Sequence, residues 1–324
     1  MKEKIITIEL PTPFHIGAVN VYLLVGDTIT LIDCGPKTKE AWTVFTEQLH
    51  HYGYRESDIE QLVLTHYHPD HVGMYAYFSE PPTVFAPADE MVYLQRDSLF
   101  LQHRTTFFTT FYKQMGVPPK LIEGEQKKLA MYAHYASVIS APLPLGPTLP
   151  CHPDWQVLKT PGHSPDHRSF YHKDSGTLLG GDCLLPHVSS TALMEPPLHG
   201  ETVRLKPILH YRQSLRMLRS LPVTLLYPGH RLPFSNVSTL IDERLHLQEK
   251  RASSLLLALQ SPQTPYELSQ LLFPKIYTKD LHLTISETVA LLDLLEEQQL
   301  VERQEHEHTT YYVQKEGVEV NEAP

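Results

Sequence analysis

Directly after the short apolar run Gln61–Leu64, the chain places His66, His68, Asp70 and His71 within six residues. Such a run reads as a buried strand, and side chains on a loop at a strand end can be aimed at one point. Imidazole and carboxylate are the nitrogen and oxygen donors that zinc prefers. His66 and His68, at i and i+2 of an extended segment, suit one shared ion. Asp70 and His71 then turn toward a second ion as the chain enters a helix. Four donors cannot complete two metal sites, so the pattern demands further ligands downstream.

Three candidates occur, each just past a strand-like run. His163 lies in Thr160–Ser164, where Pro161 and Gly162 make a tight turn. Asp182 follows Leu178-Leu179-Gly180-Gly181, and His230 follows Leu225-Leu226-Tyr227-Pro228-Gly229. The chain holds 20 histidines, and isolated ones such as His134, His210 and His246 read as surface residues. His152, His167, His187 and His199 lie nearer the expected ligand rim and are candidates for touching substrate.

The β-branched, apolar texture over 4–10 and 20–33, broken by Gly26 and Asp27, predicts strand, turn, strand. Ala41, Val44, Phe45 and Leu49 recur at helical spacing and predict a helix over 38–52. A strand at 83–86 and a mostly helical stretch over 89–135 follow. Strands at 156–160, 168–171, 177–180 and 223–227 come next, with a helix at about 207–220 before the last. Two strand–helix series with ligands at strand ends predict an α/β (α+β) fold of layers around sheets. After Pro233 the pattern is helical over 238–259, 264–273 and 284–299, ending in strand-like runs at 300–303 and 310–313. Helix, helix, hairpin resembles a winged helix. The expected division is a catalytic domain at 1–235 with a helical insertion at about 89–137, a winged-helix-like domain at 236–315, and a disordered tail at 316–324.

Composition narrows the function classes. No apolar run approaches the roughly 20 residues of a membrane span. Met1-Lys2-Glu3-Lys4 lacks the apolar stretch of a secretory signal, so a cytoplasmic protein is expected. Cys34, Cys151 and Cys183 are odd in number and widely spaced, which implies no disulfide framework. Cys183, beside Asp182, reads as a small buried residue. The net charge is −10, and from residue 236 onward fifteen carboxylates face seven Lys and Arg. That sign disfavours nucleic acid as a partner. A small-molecule substrate is expected, and the C-terminal part is expected to serve packing, homodimerisation or site closure.

Taken in order, Asp33, His66-x-His68-x-Asp70-His71, His163, Asp182 and His230 resemble the motif series of the metallo-β-lactamase superfamily, over roughly residues 1–235. The resemblance implies a four-layer αββα sandwich, with two mixed sheets face to face, helices outside and metals at one rim. It implies that His66, His68 and His163 bind one ion, that Asp70, His71 and His230 bind another, and that Asp182 bridges them. Asp33 resembles the family's structural aspartate, expected to orient the histidine loop without binding metal. Two Zn²⁺ are the preferred ions, although iron and manganese suit the same donors. Such a pair, about 3.5–4 Å apart, lowers the pKa of a shared water and so implies attack by a bridging hydroxide on a carbonyl or phosphorus. Asp70 would then be the catalytic group as well as a ligand, orienting the hydroxide or accepting its proton.

Thr160–Pro165 together with the C-terminal elements is similar to the glyoxalase-II-like and β-lactamase-like-protein branch, which implies cleavage of a small ester, thioester or lactone. Arg231 stands where many relatives have glycine. With His187 it is a candidate for the substrate rim. Three alternatives stay open: a phosphodiesterase or ribonuclease of the same fold, an iron-dependent redox enzyme, and a nucleic-acid-binding regulator acting through the winged helix. Phe107, Phe108, Phe111, Tyr112 and Met115 form an apolar helical stripe. Its first reading is plain packing, and its second is a wall over the metals that favours an acyl group.

Overall fold

The computed structural model describes residues 3–198, 201 and 203–317. His199 and positions 318–324 of the expected tail lie outside the described residues.

One sheet of six strands runs in sequence order: β1 (Lys4–Leu10), β2 (Val19–Val25), β3 (Ile29–Ile32), β4 (Gln61–Val63), β5 (Thr83–Ala86) and β6 (Leu143–Pro144). Its first three strands pair antiparallel, and β3 to β6 pair parallel. The second sheet contains β7 (Thr148–Leu149), β8 (His152–Lys159), β9 (Arg168–His172), β10 (Thr177–Gly181) and β11 (Leu225–Pro228), ordered β11-β10-β9-β8-β7. Among the described residues only β10 and β11 pair parallel in it. The helices are α1 (Lys39–His51), α2 (Pro69–Val72), α3 (Met91–Gln95), α4 (Ser98–Gln114), α5 (Pro119–Tyr132), α6 (Pro207–Arg219), α7 (Val237–Ala258), α8 (Pro265–Leu272) and α9 (Leu281–Glu297). A hairpin, β12 (Val301–His306) and β13 (Thr309–Gln314), completes the described elements.

The two-residue period of a strand builds the layers. Along β2, Val19, Val21 and Leu23 face outward and pack with Ala41, Phe45 and Leu49 of α1. The alternate residues Tyr22 and Leu24 face inward and meet Trp155, Phe170 and Leu179 of the second sheet. On that sheet Tyr171 and Leu178 point the other way, against Tyr211, Leu215 and Leu218 of α6. Helix, sheet, sheet, helix is therefore the observed order, as the αββα sandwich requires.

Beyond residue 235 the chain continues the outer helical layer. Leu240 and Leu255 of α7, Leu291 and Leu295 of α9, Val301 of β12 and Tyr312 of β13 share one apolar cluster with α6 and the second sheet. An ion pair reinforces the seam, since Arg204 donates to both carboxylate oxygens of the buried Asp293. The order α8, α9, β12, β13 is the helix–helix–hairpin order read from the sequence. Among the described residues no helix is long and apolar enough to cross a membrane.

The expected helical insertion is three helices, broken where Arg96 adopts a left-handed backbone (φ 51°) and again at Gly116 (φ 81°). The strand expected at 156–160 begins earlier, at His152, because Pro153 and Asp154 mask its strand texture. Two-residue strands such as β6 and β7 carry no periodicity to read. The aromatic stripe packs as its first reading holds: Phe108, Phe111, Tyr112 and Met115 lie against Ile285 and Val289 of α9.

Candidate metal centre

Strand direction gathers the candidate residues. Asp33 follows the C-terminal end of β3, and Thr65–His71 follows that of its parallel neighbour β4. In the second sheet β8, β10 and β11 all run the same way, because β9 is antiparallel to both β8 and β10. Their C-terminal ends deliver His163, Asp182 and His230 to one rim. Backbone bonds lock the two rims together: the Arg168 N–H donates to the Thr65 carbonyl (2.9 Å) and the Asn20 N–H to the Gly229 carbonyl (2.6 Å).

At that rim the donor atoms of His66, His68 and His163 lie within 4.8 Å of one another, as do those of Asp70, His71 and His230. Asp182 stands between the two groups. One of its oxygens is 3.6 Å from His71 Nε2, and the other is 3.6 Å from His163 Nε2 and 3.5 Å from His230 Nε2. All seven residues read from the sequence are thus brought together.

Hydrogen bonding on the far side of each ring decides which nitrogen faces inward. Asp33 accepts the Thr65 hydroxyl (2.7 Å), whose single proton is then spent. The hydroxyl oxygen, 2.9 Å from His66 Nδ1, must accept from that ring, leaving His66 Nε2 a lone pair. Asp33 also accepts from His71 Nδ1 (2.8 Å), and backbone carbonyls accept from His163 Nδ1 (Thr191, 3.2 Å) and His230 Nδ1 (Ala18, 2.7 Å). In the neutral form of each ring these acceptors therefore hold the proton on Nδ1 and leave the inward-facing Nε2 free to bind a cation. His68 Nδ1 faces two of these bare nitrogens, at 2.9 and 3.0 Å.

This donor set fits divalent cations. His71 Nε2 and Asp182 Oδ1 are buried without a hydrogen-bond partner, a costly state for a polar atom unless a ligand satisfies it. Burial, reinforced by neighbouring imidazoles, holds His66 and His68 well below the ordinary histidine range, and burial lowers His163 too. These rings are neutral, as ligands must be. Burial opposes ionisation of Asp70 and Asp182, but the charges of His71 and His230 outweigh it and keep both carboxyls low. Burial equally opposes protonation of His71 and His230. Asp182 and the other carboxylates nevertheless lift His71 well above its usual range and His230 to about 10. Without a cation, protons on these two rings compensate the carboxylates, and divalent ions would replace them.

Two glycines leave room for the cluster. A Cβ on Gly229 would lie 2.0 Å from Asp182 Oδ1. Gly162 has φ 133°, and a Cβ there would fall 2.3 Å from Tyr211 Cβ, so the turn that presents His163 admits no other residue without movement.

The sequence did not single out Glu90 as a partner of the ligand loops. Fully buried, it accepts the backbone N–H of Tyr67 (2.8 Å), between His66 and His68, and that of Asp166 (2.9 Å). The Ser164 hydroxyl, next to His163, donates to it as well. One carboxylate thus clamps two ligand loops. His167, read as a rim candidate, is instead buried, and its Nε2 accepts the Asp182 N–H (3.1 Å). His152 is also buried, between Thr30 and Glu3. Cys183 is buried, and burial pushes its thiol up to about 12, consistent with a packing role.

A cavity of about 330 Å³ opens beside His68 and Asp70. The N-terminal loop contributes Phe14 and Ile16, the insertion contributes Tyr93, Leu101 and Leu129, and α9 contributes His282 and Leu283. One face of the insertion packs and another walls the cavity, so both readings of this segment have a counterpart. Arg231 and His187, read as rim candidates, are not among the residues lining this cavity. Arg231 donates to the Ile16 carbonyl (3.2 Å) and so braces the loop that does line it. His187 is exposed, with a left-handed backbone (φ 62°).

Residues 16–230 match the family model described as the metallo-beta-lactamase superfamily. The probable metallo-hydrolase YqjP of Bacillus subtilis is 38% identical over 314 residues, 96% of this chain and 98% of that protein. The atrochrysone carboxyl ACP thioesterase of Aspergillus fumigatus is 31% identical over 108 residues, 33% of this chain and 30% of that protein. Among solved structures, a metallo-beta-lactamase family protein from Thermus thermophilus superposes with a TM-score of 0.81 at 27% identity, covering 96% of this chain and 98% of that one. With the family match over residues 16–230 and the Bacillus relative shared over nearly the whole of both chains, the rim of converging imidazoles and carboxylates places this chain in the metallo-β-lactamase superfamily as a metallo-hydrolase.

Proposed function

We propose that the protein hydrolyses a small ester, thioester or lactone at a pair of cations, with zinc the preferred metal. The observation that carries this reading is the largely apolar cavity that opens beside His68 and Asp70, two of the seven converging donors. In this reading His66, His68 and His163 hold one ion, Asp70, His71 and His230 the other, and Asp182 both. Bound there, the cations would acidify water and polarise the carbonyl under attack. The chain's own residues do the rest. Asp33 fixes His71 and, through Thr65, His66, while Asp70 is placed to orient the attacking oxygen or take up its proton.

Several features favour an acyl substrate over RNA. Phe14, Ile16, Leu101 and Leu129 offer apolar surface for an acyl group. Two of the cavity's cations, Arg104 and Lys128, are already paired, with Glu195 and Asp280. The relative from Aspergillus is named a thioesterase. The region from residue 236 onward, net negative, serves in this reading to close the site, since Asp280, His282 and Leu283 reach the cavity.

A panel of acyl thioesters, lactones and RNA, assayed with metal-loaded and chelated protein, tests the reading. Metal-dependent turnover of an acyl substrate is expected. Cleavage of RNA alone would overturn it.

A further inference from the structure

Most of the charged groups lining the cavity are paired with one another. Arg104 makes a two-point bond to Glu195, with Nε to one oxygen (3.0 Å) and Nη2 to the other (2.9 Å), and Glu195 also accepts the Tyr67 hydroxyl (2.5 Å). Lys128 pairs with Asp280 (2.7 Å). Glu125 is buried, and burial raises its carboxyl above the usual range, against the opposing charge of Lys128. Arg96 is different. It is half-buried at the end of α3, and its Nη2 donates to the carbonyls of Ala133 and Ala136. Among the described residues no carboxylate lies within ion-pair distance of it, and neither Nε nor Nη1 has a hydrogen-bond partner.

An unpaired guanidinium beside apolar walls is a demanding arrangement. Burial costs the charge hydration, and an incoming anion would restore its partners. Arg96 shares the cavity with His68 and Asp70, so a ligand filling the space from the metal rim inward can reach it. The volume, about 330 Å³, lies at the lower end of small-molecule sites, roughly 300–1,000 Å³. That size suits a medium acyl group.

We propose that this cavity receives the acyl half of the substrate and that Arg96, in its wall, binds an anionic group carried on that half, so that the protein selects carboxylate-ended, medium-length acyl groups. The inference rests on the acyl reading above and narrows it. The apolar walls bury the methylene chain, and the guanidinium supplies its charge and two unpaired donors, Nε and Nη1, for charge-assisted hydrogen bonds to an anion. Arg96 is then a specificity residue that touches no reacting atom.

Calorimetric titration of the metal-loaded, full-length protein tests this without turnover. The probes are matched acids of equal length, octanoate against suberate and decanoate against sebacate. One carboxylate of each can engage the metal rim, and only the diacids carry a second. Wild type is expected to bind at least one diacid about tenfold more tightly than its monoacid, the scale of one charge-assisted hydrogen bond. Arg96→Gln should bring that ratio to about one, whereas Arg96→Lys, which keeps the charge, should retain part of it.

Equal affinities for both members of each pair in wild type would overturn the proposal, even if the Gln variant does not fold. So would an unchanged ratio in Arg96→Gln, which is also what a purely structural role through Ala133 and Ala136 would give. Failure to turn over any acyl substrate would sink the hydrolytic reading alone, because the affinity ratio is read independently of catalysis.

Discussion

Asp33 and Glu90 are buried carboxylates that prepare the ligand loops from behind. Asp33 accepts the Thr65 hydroxyl and His71 Nδ1–H, and so directs the Nε2 atoms of His66 and His71 inward. Glu90 ties the backbone of the Thr65–His71 loop to the turn bearing His163. Replacing Glu90 with alanine should weaken metal binding by about 10–100-fold, the usual effect of losing such support; competition with a chromophoric chelator reads it. Retention of wild-type affinity would show that the loops hold their shape unaided. The seven donors were legible in the sequence because each stands just past a strand-like run, often after Pro-Gly. Glu90 was not, because its partners are backbone N–H groups and a serine far along the chain, which leave no local pattern. Protonation follows from the same residues. In the metal-free protein His230 is raised from 6.5 to about 10, so its stabilising contribution is fully present below about pH 6.5 and is lost as pH rises through about 10. Metal binding runs oppositely, since protons compete with the ion for these rings. The gap in melting temperature between metal-loaded and chelated protein should therefore widen between about pH 6 and about pH 9. A constant gap would mean that His71 and His230 do not exchange protons for metal.

Element ends matter more here than element interiors. The β8 strand supplies core residues, yet its functional content is the turn after it, where Gly162 at φ 133° passes against Tyr211 of α6. Gly162→Ala should cost about 1–3 kcal/mol through strain and overpacking and should weaken metal binding as His163 shifts. Thermal unfolding with a metal titration measures both, and a fully stable variant would contradict the close approach. The apolar strands and amphipathic helices were readable from periodicity. The two-residue strands β6 and β7 were not, and the early start of β8 was masked by Pro153 and Asp154. The insertion was readable as helix but not as a wall. Its packing face repeats aromatic residues at helical spacing, whereas its cavity face mixes Tyr93, Arg96, Leu101 and Leu129 across three helices.

At the scale of the whole molecule, the layer outside the second sheet is completed by chain beyond residue 235. Leu240, Leu255, Leu291 and Leu295 share a cluster with Leu178, Leu215 and Leu226. A chain ending at 235 would expose that face of α6 and the sheet, an apolar patch that soluble monomers rarely tolerate. We expect such a truncation to aggregate or to unfold without cooperativity; a soluble, cooperatively melting product would show that the boundary is autonomous. The helix–helix–hairpin order was legible from pattern alone, but its merger with the catalytic layers was not, because long-range packing has no signature in one sequence. The same long-range closure brings the Thr65–His71 loop, His163, Asp182 and His230 to one rim, and the account stands on it. A crystal structure of the metal-loaded protein, with anomalous diffraction at the metal edge, measures this most directly. Two metal peaks are predicted, one among His66, His68 and His163 and the other among Asp70, His71 and His230, with Asp182 touching both. A single peak, or metal bound away from these residues, would contradict it.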